Sequence, residues 1–538
     1  MLNIDTNMTE NNSYLGFDFS TQQLKAVVIN EDLEVTHQSV VNFDIDLPEF
    51  RTHGGVHSQE DNLTVTAPTI MWIKALDMLI ERLKLEGVDF STVSAISGAA
   101  QQHGSVYWKK GAEQILLDIS PNKFLHEQLQ GCFSLRDSPV WMDSSTTSQC
   151  KNLEEAVGGA MALAQLTGSH AYERFTGNQI AKFYQTRPGT FDMTERISLI
   201  SSFGASLFLG QYAPIDLSDG SGMNLLDINT KDWSDVCLEA CAPSLRKKLG
   251  QPVPACTVLG SVSPYFIERY GFSENCKVVA FTGDNPASLA GTQMNKGDMT
   301  ISLGTSDTVF LWLTDPKPSL SGHILCNPIN SKEFMALLCF KNGSFTRERI
   351  RDECAEGSWE LFNDILESTP RGNFGNIGMF FDMMEILPAV VGDFRFNKNN
   401  ESVQRFSKEV EVRALVEGQF LAKRVHAEDF GFKIDSSARI IATGGASTNK
   451  SLTQVLADVF NLPVFVLDIA NSACLGSALR AKHALLGEDF CFQNMFNKPL
   501  GIQLSALPAK DADEVYGPML ARYRTLQERV FKICNPSK

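Results

Sequence analysis

The chain has 538 residues, a formal net charge of −16, 43% hydrophobic residues and 20% charged residues. At roughly 150 residues per domain, that length can bury at least two substantial cores, and the ordinary globular composition excludes disorder as the main theme. No run of five or more consecutive Lys/Arg occurs, which excludes nucleic acid and membrane as partners held by counterion release; a polyanionic ligand would need backbone N–H groups, a metal ion or a few placed cations.

The first residues, "MLNIDTNMTENNSY", are polar and acidic, without the basic start and apolar run of a secretory signal. Residues 1–13 are therefore expected to be a disordered tail. "YLGFDFSTQQLKAVVIN" follows, an apolar-rich strand broken by Asp18, Ser20 and Thr21, then a return run from Leu24 to Ile29. The apolar "VSAI" leads into "SGAAQQHGSVYW", which sets Gln101, Gln102 and His103 at a strand end. A polyol could be hydrogen-bonded there by several neutral groups. The longest apolar stretch, Ile197 to Gly210, has 14 residues with four serines, short of the roughly 20 needed to span a bilayer, and reads as a buried helix.

"VVAFTGDNPASLAG" is a buried strand followed by Asp284, Asn285 and Pro286, where an acid could either cap a helix or act on a ligand. "MTISLGTSDTVFLWLT" then repeats the first hairpin, with Gly304, Thr305 and Ser306 in the turn and Thr308 to Leu313 returning. Further on, Ile440 to Thr443 is a strand, Gly444-Gly445 a close-approach turn, and Ser451 to Phe460 a helix with a 3.6-residue apolar period. The small-residue helix "ANSACLGSALRAKHALL" is expected to pack near that same corner. The last segment forms an amphipathic helix with Val515, Met519, Leu520, Tyr523 and Leu526 on one face.

The two hairpins carry the chemical argument. Turns of small hydroxyl residues direct N–H and O–H groups inward and make anion sites, so one per half suits a phosphate chain. Only the first half supplies a carboxylate, since Asp18 aligns with Leu303, and one carboxylate beside phosphates suits a hydrated Mg²⁺. Asp284 within reach of a hydroxyl could take its proton, with Asn285 holding a neighbouring hydroxyl. Neither GxGxxG after a strand nor GxxxxGK[ST] is present. Of the twelve cysteines the closest pair is Cys237 and Cys241, with no CxxC, which points to reduced core thiols and a cytoplasmic protein.

The order "GFDFSTQQLKAVV", "SGAAQQHGS", "FTGDNPASLAG", "ISLGTSDTVF" and "ATGGASTNK" resembles the FGGY family of carbohydrate kinases over roughly residues 14–490. Within it, "QHG", "DLPEFRTHGGVH" and "YERFTGNQIAKFY" are most similar to eukaryotic members that act on D-xylulose. The resemblance implies an α/β, two-domain actin-like (ribonuclease H-like) ATPase fold with the active site in the interdomain cleft. The expected divisions are 14–290 for sugar and the first phosphate turn, 291–490 for ATP, and 491–538 as a helical extension.

The resemblance further implies ATP and Mg²⁺, Asp284 as catalytic base, and His103, Arg174 and Asn285 on the sugar. It implies Asp18 on the metal side, with Ser20, Thr21, Gly304, Thr305, Ser306, Trp359, Gly444, Gly445, Ala446 and Asn449 on ATP. Where the family often reads W-x-D-x-R, this chain has "WMDSS"; Ser145 leaves Asp143 without that partner, and no catalytic role is assigned to it. The expected partner is a small sugar, D-xylulose, with no nucleic acid or membrane, in a monomer or homodimer. Ribulose, glycerol or gluconate as acceptor, or a non-catalytic actin-like nucleotide- or sugar-binding protein, are the alternatives.

Overall fold

The computed structural model describes residues 12–435, 437–468, 471–487, 490–496 and 501–535. Most of the expected N-terminal tail, residues 1–11, lies outside the described residues. Two compact units form, one from 1–293, 324–332 and 471–497, the other from 294–323, 333–470 and 498–538.

In the first unit the apolar run predicted to open the chain is β1 (Ser13–Phe19), buried from its second residue onward, with β2 (Gln23–Asn30) and β3 (Val35–Asn42) following as antiparallel neighbours. A strand flanked on both faces has no polar side to spare, which explains the nearly unbroken apolar sequence of β1. β4 (Val93–Ala100), β5 (Val258–Ser261), β6 (Lys277–Val279) and β7 (Thr282–Gly283) complete the sheet. The order is β5-β6-β4-β1-β2-β3, with β7 also on β4. The β1–β4, β4–β6 and β4–β7 pairs are parallel. The expected buried helix occupies Ile200–Leu209 with all ten residues buried, preceded by a strand over Thr194–Leu199. Its Phe208 ring sits 4.9 Å from that of Phe17.

The second unit repeats this plan. β8 (Met299–Ser302), β9 (Asp307–Leu313), β10 (Phe334–Phe340), β11 (Ile440–Thr443), β12 (Val464–Leu467) and β13 (Ile502–Ala506) run in the order β10-β9-β8-β11-β12-β13. Again a first strand pairs antiparallel with its hairpin mate and parallel with the strand that carries the next turn. The hairpin similarity in the sequence thus extends to whole sheets.

Among the helices are α1 (Asp284–Gly291), α2 (Lys408–Asp429), α3 (Lys450–Phe460), α4 (Ser472–Leu486) and α5 (Ala512–Cys534). The small-residue helix α4 belongs to the first compact unit, whereas the Gly444-Gly445 turn belongs to the second. The reason is steric. A Cβ on Gly476 would stand 1.9 Å from the Ala287 carbonyl oxygen, one on Gly291 2.0 Å from that of Ser472, and one on Gly16 2.2 Å from that of Cys474. Only glycine at those points lets α4 lie directly on α1 and β1. Of the expected 291–490 division, residues 291–293, 324–332 and 471–490 therefore fall in the first compact unit.

The 491–538 segment is not only helical, since β13 adds an antiparallel strand to β12. On α5 the core face is Tyr516, Met519, Leu520, Tyr523, Leu526 and Val530, with the expected Val515 half-buried. The Tyr516 hydroxyl donates to Glu417 Oε1 at 2.7 Å. Among the described residues no helix is long and apolar enough to cross a membrane.

Gly476→Ala is expected to lower the unfolding free energy by about 3 kcal/mol, the cost of forcing a methyl into a closed backbone contact. Urea denaturation of the variant measures this; a loss below about 0.5 kcal/mol, the range of an ordinary surface substitution, would show that the helix contact is not tight.

Candidate active site

In the first unit the site follows from register. Asp18 pairs with Ala99 and Phe19 with Ala100 across β1–β4, while Thr282 pairs with Ala99 and Gly283 with Ala100 across β7–β4. Three parallel strands thus end at one level, so Ser20, Gln101-Gln102 and Asp284 follow side by side. The carboxyl end of parallel strands is where open α/β sheets bind ligands.

Asp284 is the first residue of α1 rather than its cap, which is Gly283. Its Oδ1 accepts from the Asn285 backbone N–H at 2.8 Å and from Asn285 Nδ2 at 3.1 Å. Burial, and secondarily the negative charge of Asp18, push its pKa up to about 7. Behind this half-buried acid lie two fully buried ones. Asp216 accepts from Thr282 Oγ1 at 2.8 Å, and Asp219 from Ser201 Oγ at 2.6 Å. Burial raises both, Asp216 to about 6 and Asp219 well above its ordinary value, with the Asp216 charge adding to the latter.

His103 has a left-handed backbone, φ 70°, and its ring stacks on Phe175 at 4.4 Å. Its Nδ1 lies 2.8 Å from the Gly222 carbonyl oxygen, so Nδ1 carries the proton and donates. Burial, and then the charge of Arg174, pull its pKa down to about 3, leaving Nε2 as a neutral acceptor. Arg174 sits in the turn before the helix Thr176–Thr186 rather than on a helix surface, with its guanidinium over the Tyr172 ring at 5.1 Å. This corner therefore offers an acceptor, an amide and a cation to a polyhydroxylated ligand.

The side chains of the turn after β1 are already hydrogen-bonded. Ser20 Oγ donates to Asp18 Oδ2 at 2.5 Å, and Trp141 Nε1 donates to Thr21 Oγ1 at 2.9 Å. Asp18 Oδ1 is buried without a hydrogen-bond partner, and burial raises the Asp18 pKa. A buried carboxylate oxygen with no donor fits a cation or its bound water. Among the described residues no group of three or more His, Cys, Asp or Glu side chains is gathered for a metal, so a protein-only cage is not what the chain provides there.

Asp143 lacks the family arginine and is held by other partners. The carboxylate is buried and accepts from Ser145 Oγ at 2.5 Å, Gln179 Nε2 at 2.8 Å and the Val65 N–H at 3.0 Å. Lys182 Nζ in turn donates to Ser145 Oγ at 2.5 Å. A serine thus relays Lys182 to the acid in place of the arginine that the WMDSS motif lacks.

In the second unit Ser302 of β8 pairs with Thr443 of β11, so the turn at Leu303–Ser306 and the Gly444-Gly445 turn also leave the sheet together. They open a cavity of about 490 Å³ lined by Gly304, Thr305, Trp359, Gly445, Ala446 and Asn449, with Arg347 and Leu452 among the others. Six of the expected nucleotide residues are thereby brought together. Gly444 stands behind them at φ 82°, where a Cβ would meet the Leu303 carbonyl oxygen at 2.8 Å, while the Cβ direction of Gly445 is open. Ser306 is exposed in the turn and does not line the cavity. Asn449 caps α3 by accepting from the Leu452 N–H at 3.2 Å, and Arg351 lies 4.7 Å over the Trp359 ring.

Sequence reasoning missed the ionic support of this second turn. Asp307 accepts from the Gly304 N–H at 3.1 Å, from both terminal nitrogens of Arg347 at 2.9 and 3.0 Å, and from Lys423 Nζ at 2.9 Å. All three charged side chains are 1% exposed or less. Asp307 directly follows the LGTS stretch and could have been suspected, but nothing local points to Arg347 or Lys423.

Each unit carries a candidate site at the carboxyl end of its parallel strands, and the chain belongs to the FGGY family of carbohydrate kinases. The family's N-terminal domain model matches residues 132–291 and its C-terminal domain model residues 299–485. The chain is 58% identical over 517 residues to the xylulose kinase of Rattus norvegicus, covering 96% of each chain. Its fold is that of the xylulose kinase from Rhodospirillum rubrum, with a TM-score of 0.78, 15% identity and coverage of 97% and 100% of the two chains. It is also that of Plasmodium falciparum glycerol kinase with ADP, with a TM-score of 0.73, 16% identity and coverage of 97% and 98%.

The raised Asp284 value has a signed consequence for stability. Because the folded chain binds this proton more tightly than the unfolded chain, the group's contribution falls as pH rises from the ordinary 3.8 to about 7. Asp284→Asn is therefore expected to raise the urea midpoint at pH 8, with the gain shrinking toward zero at pH 4. An equal effect at both pH values would contradict the raised pKa.

Proposed function

We propose that this chain transfers the γ-phosphoryl group of ATP to the 5-hydroxyl of D-xylulose, with Asp284 as the base. The observation that carries the assignment of Asp284 is a half-buried carboxyl, raised to about 7, at the common end of three strands beside His103 and Asn285. A base poised near the working pH is the one best suited to accept a proton during transfer. The choice of D-xylulose rests on the xylulose kinases at 58% and 57% identity over 96% of the chain; the fold, shared with a glycerol kinase, does not discriminate among acceptors.

In the reaction the 5-hydroxyl gives its proton to Asp284 as its oxygen bonds to the γ-phosphorus, and the bond from that phosphorus to the β-bridging oxygen breaks to release ADP. The transition state is loose, so the protein's part is chiefly alignment and charge. His103 Nε2 accepts from a sugar hydroxyl, and Arg174 donates to one. Ser20 and Thr21 in the first unit and Gly304, Thr305 and Ser306 in the second serve the phosphates. Trp359, Gly445, Ala446 and Asn449 receive the adenosine, with Gly444 setting the turn behind them. Asp18 would hold the hydration shell of Mg²⁺, which when bound neutralises phosphate charge. The protein acts as a cytoplasmic monomer or homodimer, in keeping with the twelve free cysteines. Two of these, Cys491 and Cys534, are exposed rather than core thiols.

Asp284→Asn is expected to cut kcat for D-xylulose by about 10²–10⁴-fold, the range of a lost general base, while calorimetry still shows D-xylulose binding. Retained turnover would remove Asp284 from the chemistry, and a wild-type preference for glycerol, ribulose or gluconate in a substrate panel would overturn the acceptor.

A further inference from the structure

Gln102 is 4% exposed; its backbone N–H serves the Asp284 carboxyl, and its side-chain amide lies between Asn285 and Asp219. Its Oε1 accepts from Asn285 Nδ2 at 2.9 Å, and its Nε2 donates to Asp219 Oδ1 over a longer 3.4 Å. Asn285 Nδ2 spends its other hydrogen on Asp284 Oδ1 at 3.1 Å. The space is closed around this link: a Cβ on Gly283 would come within 2.5 Å of Gln102 Cγ and 2.8 Å of Asp219 Oδ1. The result is a chain of two amides running from Asp284 to Asp219.

The direction of that chain is fixed at its working end. An ionised Asp284 only accepts hydrogen bonds, so Asn285 must turn its NH₂ toward it. The second hydrogen of that NH₂ then requires an acceptor, and Gln102 Oε1 is the one supplied. With both hydrogens committed, the Asn285 carbonyl oxygen is the atom left for a ligand, and Asp284 Oδ2, which takes neither Asn285 donor, is the oxygen presented to a proton. Without Gln102 the Asn285 amide would lose the partner that keeps it in this orientation.

We infer that Gln102 is a positioning residue for phosphoryl transfer: it locks the Asn285 amide so that Asn285 reads one sugar hydroxyl as an acceptor and Asp284 presents Oδ2 to the reacting hydroxyl. This rests on the reading of Asp284 as base. It adds a specificity rule, that the hydroxyl facing Asn285 must donate a hydrogen, so fluorine at that carbon is rejected.

The test compares wild type with Gln102→Met, which keeps length and apolar bulk but no amide, using D-xylulose and its monodeoxyfluoro analogues. KM for D-xylulose is expected to rise about tenfold, the effect of about one hydrogen bond, with KM for ATP and the urea midpoint unchanged. One fluoro analogue should cost the wild-type enzyme about tenfold in kcat/KM and cost Gln102→Met nothing further. Unchanged KM for D-xylulose, or penalties that simply add for every analogue, would overturn the inference while leaving Asp284→Asn inactive. Full activity in Asp284→Asn would instead overturn the base on which it rests. Should Gln102→Met lower the urea midpoint, Asp219→Asn, which retains an acceptor for Gln102 Nε2, is expected to keep KM for D-xylulose within about threefold of wild type; a tenfold rise there would also count against the proposed polarity.

Discussion

The constraint on which the first unit depends is the shared register of three parallel strands. Because Phe19, Ala100 and Gly283 are laterally paired, the residues after them emerge at one edge whatever else the sequence does. Each strand has a different continuation: a hairpin turn after β1, a left-handed loop at His103 after β4, and a helix after β7. Asp18, the 101–103 loop and Asp284, to which the proposed mechanism gives the metal, the sugar and the proton, thus arrive together from positions far apart in the chain. The second unit applies the same rule to Leu303 and Gly444. The small helix α4 holds the arrangement from behind, since its glycine contacts fix α1 against β1.

The two units treat buried charge in opposite ways. Under the second turn Asp307 is matched by Arg347 and Lys423, and the pairing keeps its pKa below the ordinary value in spite of burial. Removing one partner from such a cluster costs about 3–5 kcal/mol, so the cluster gives the turn one rigid shape. In the first unit Asp18, Asp216, Asp219 and Asp284 are crowded and raised. Their mutual repulsion and desolvation oppose folding at neutral pH, as expected where function rather than stability selects the residues. A cation at Asp18 and a proton at Asp284 are the two species that would relieve it.

Much of this was legible in the sequence because the informative signals are local. Both hairpins, the strand Ile440–Thr443 and the helix after it follow from apolar period and turn residues within short windows, and the structure places them within a residue or two. The family resemblance gathered six residues, expected to meet a nucleotide, that line the second-unit cavity. What stayed hidden depends on contacts made across the fold. Lys423 reaches Asp307 from the middle of a long helix, and Lys182 supports Asp143 only through Ser145. Helix α4 read as part of the nucleotide corner because sequence distance, not the fit of Gly476 against Ala287, was visible. Gln102 was grouped with its neighbours as a ligand contact, whereas its amide is spent on Asn285 and Asp219.

The central claim is that a single carboxyl, raised by burial, takes the proton from the sugar. The most direct measurement is the pH dependence of kcat/KM for D-xylulose, which reports the ionisation of the base in the sugar-free enzyme. Since the base must be ionised, the account predicts that kcat/KM falls as pH drops through about 7, about tenfold per pH unit below the inflection. A profile that stays flat down to about pH 5, more than a unit above an ordinary aspartate, would contradict it.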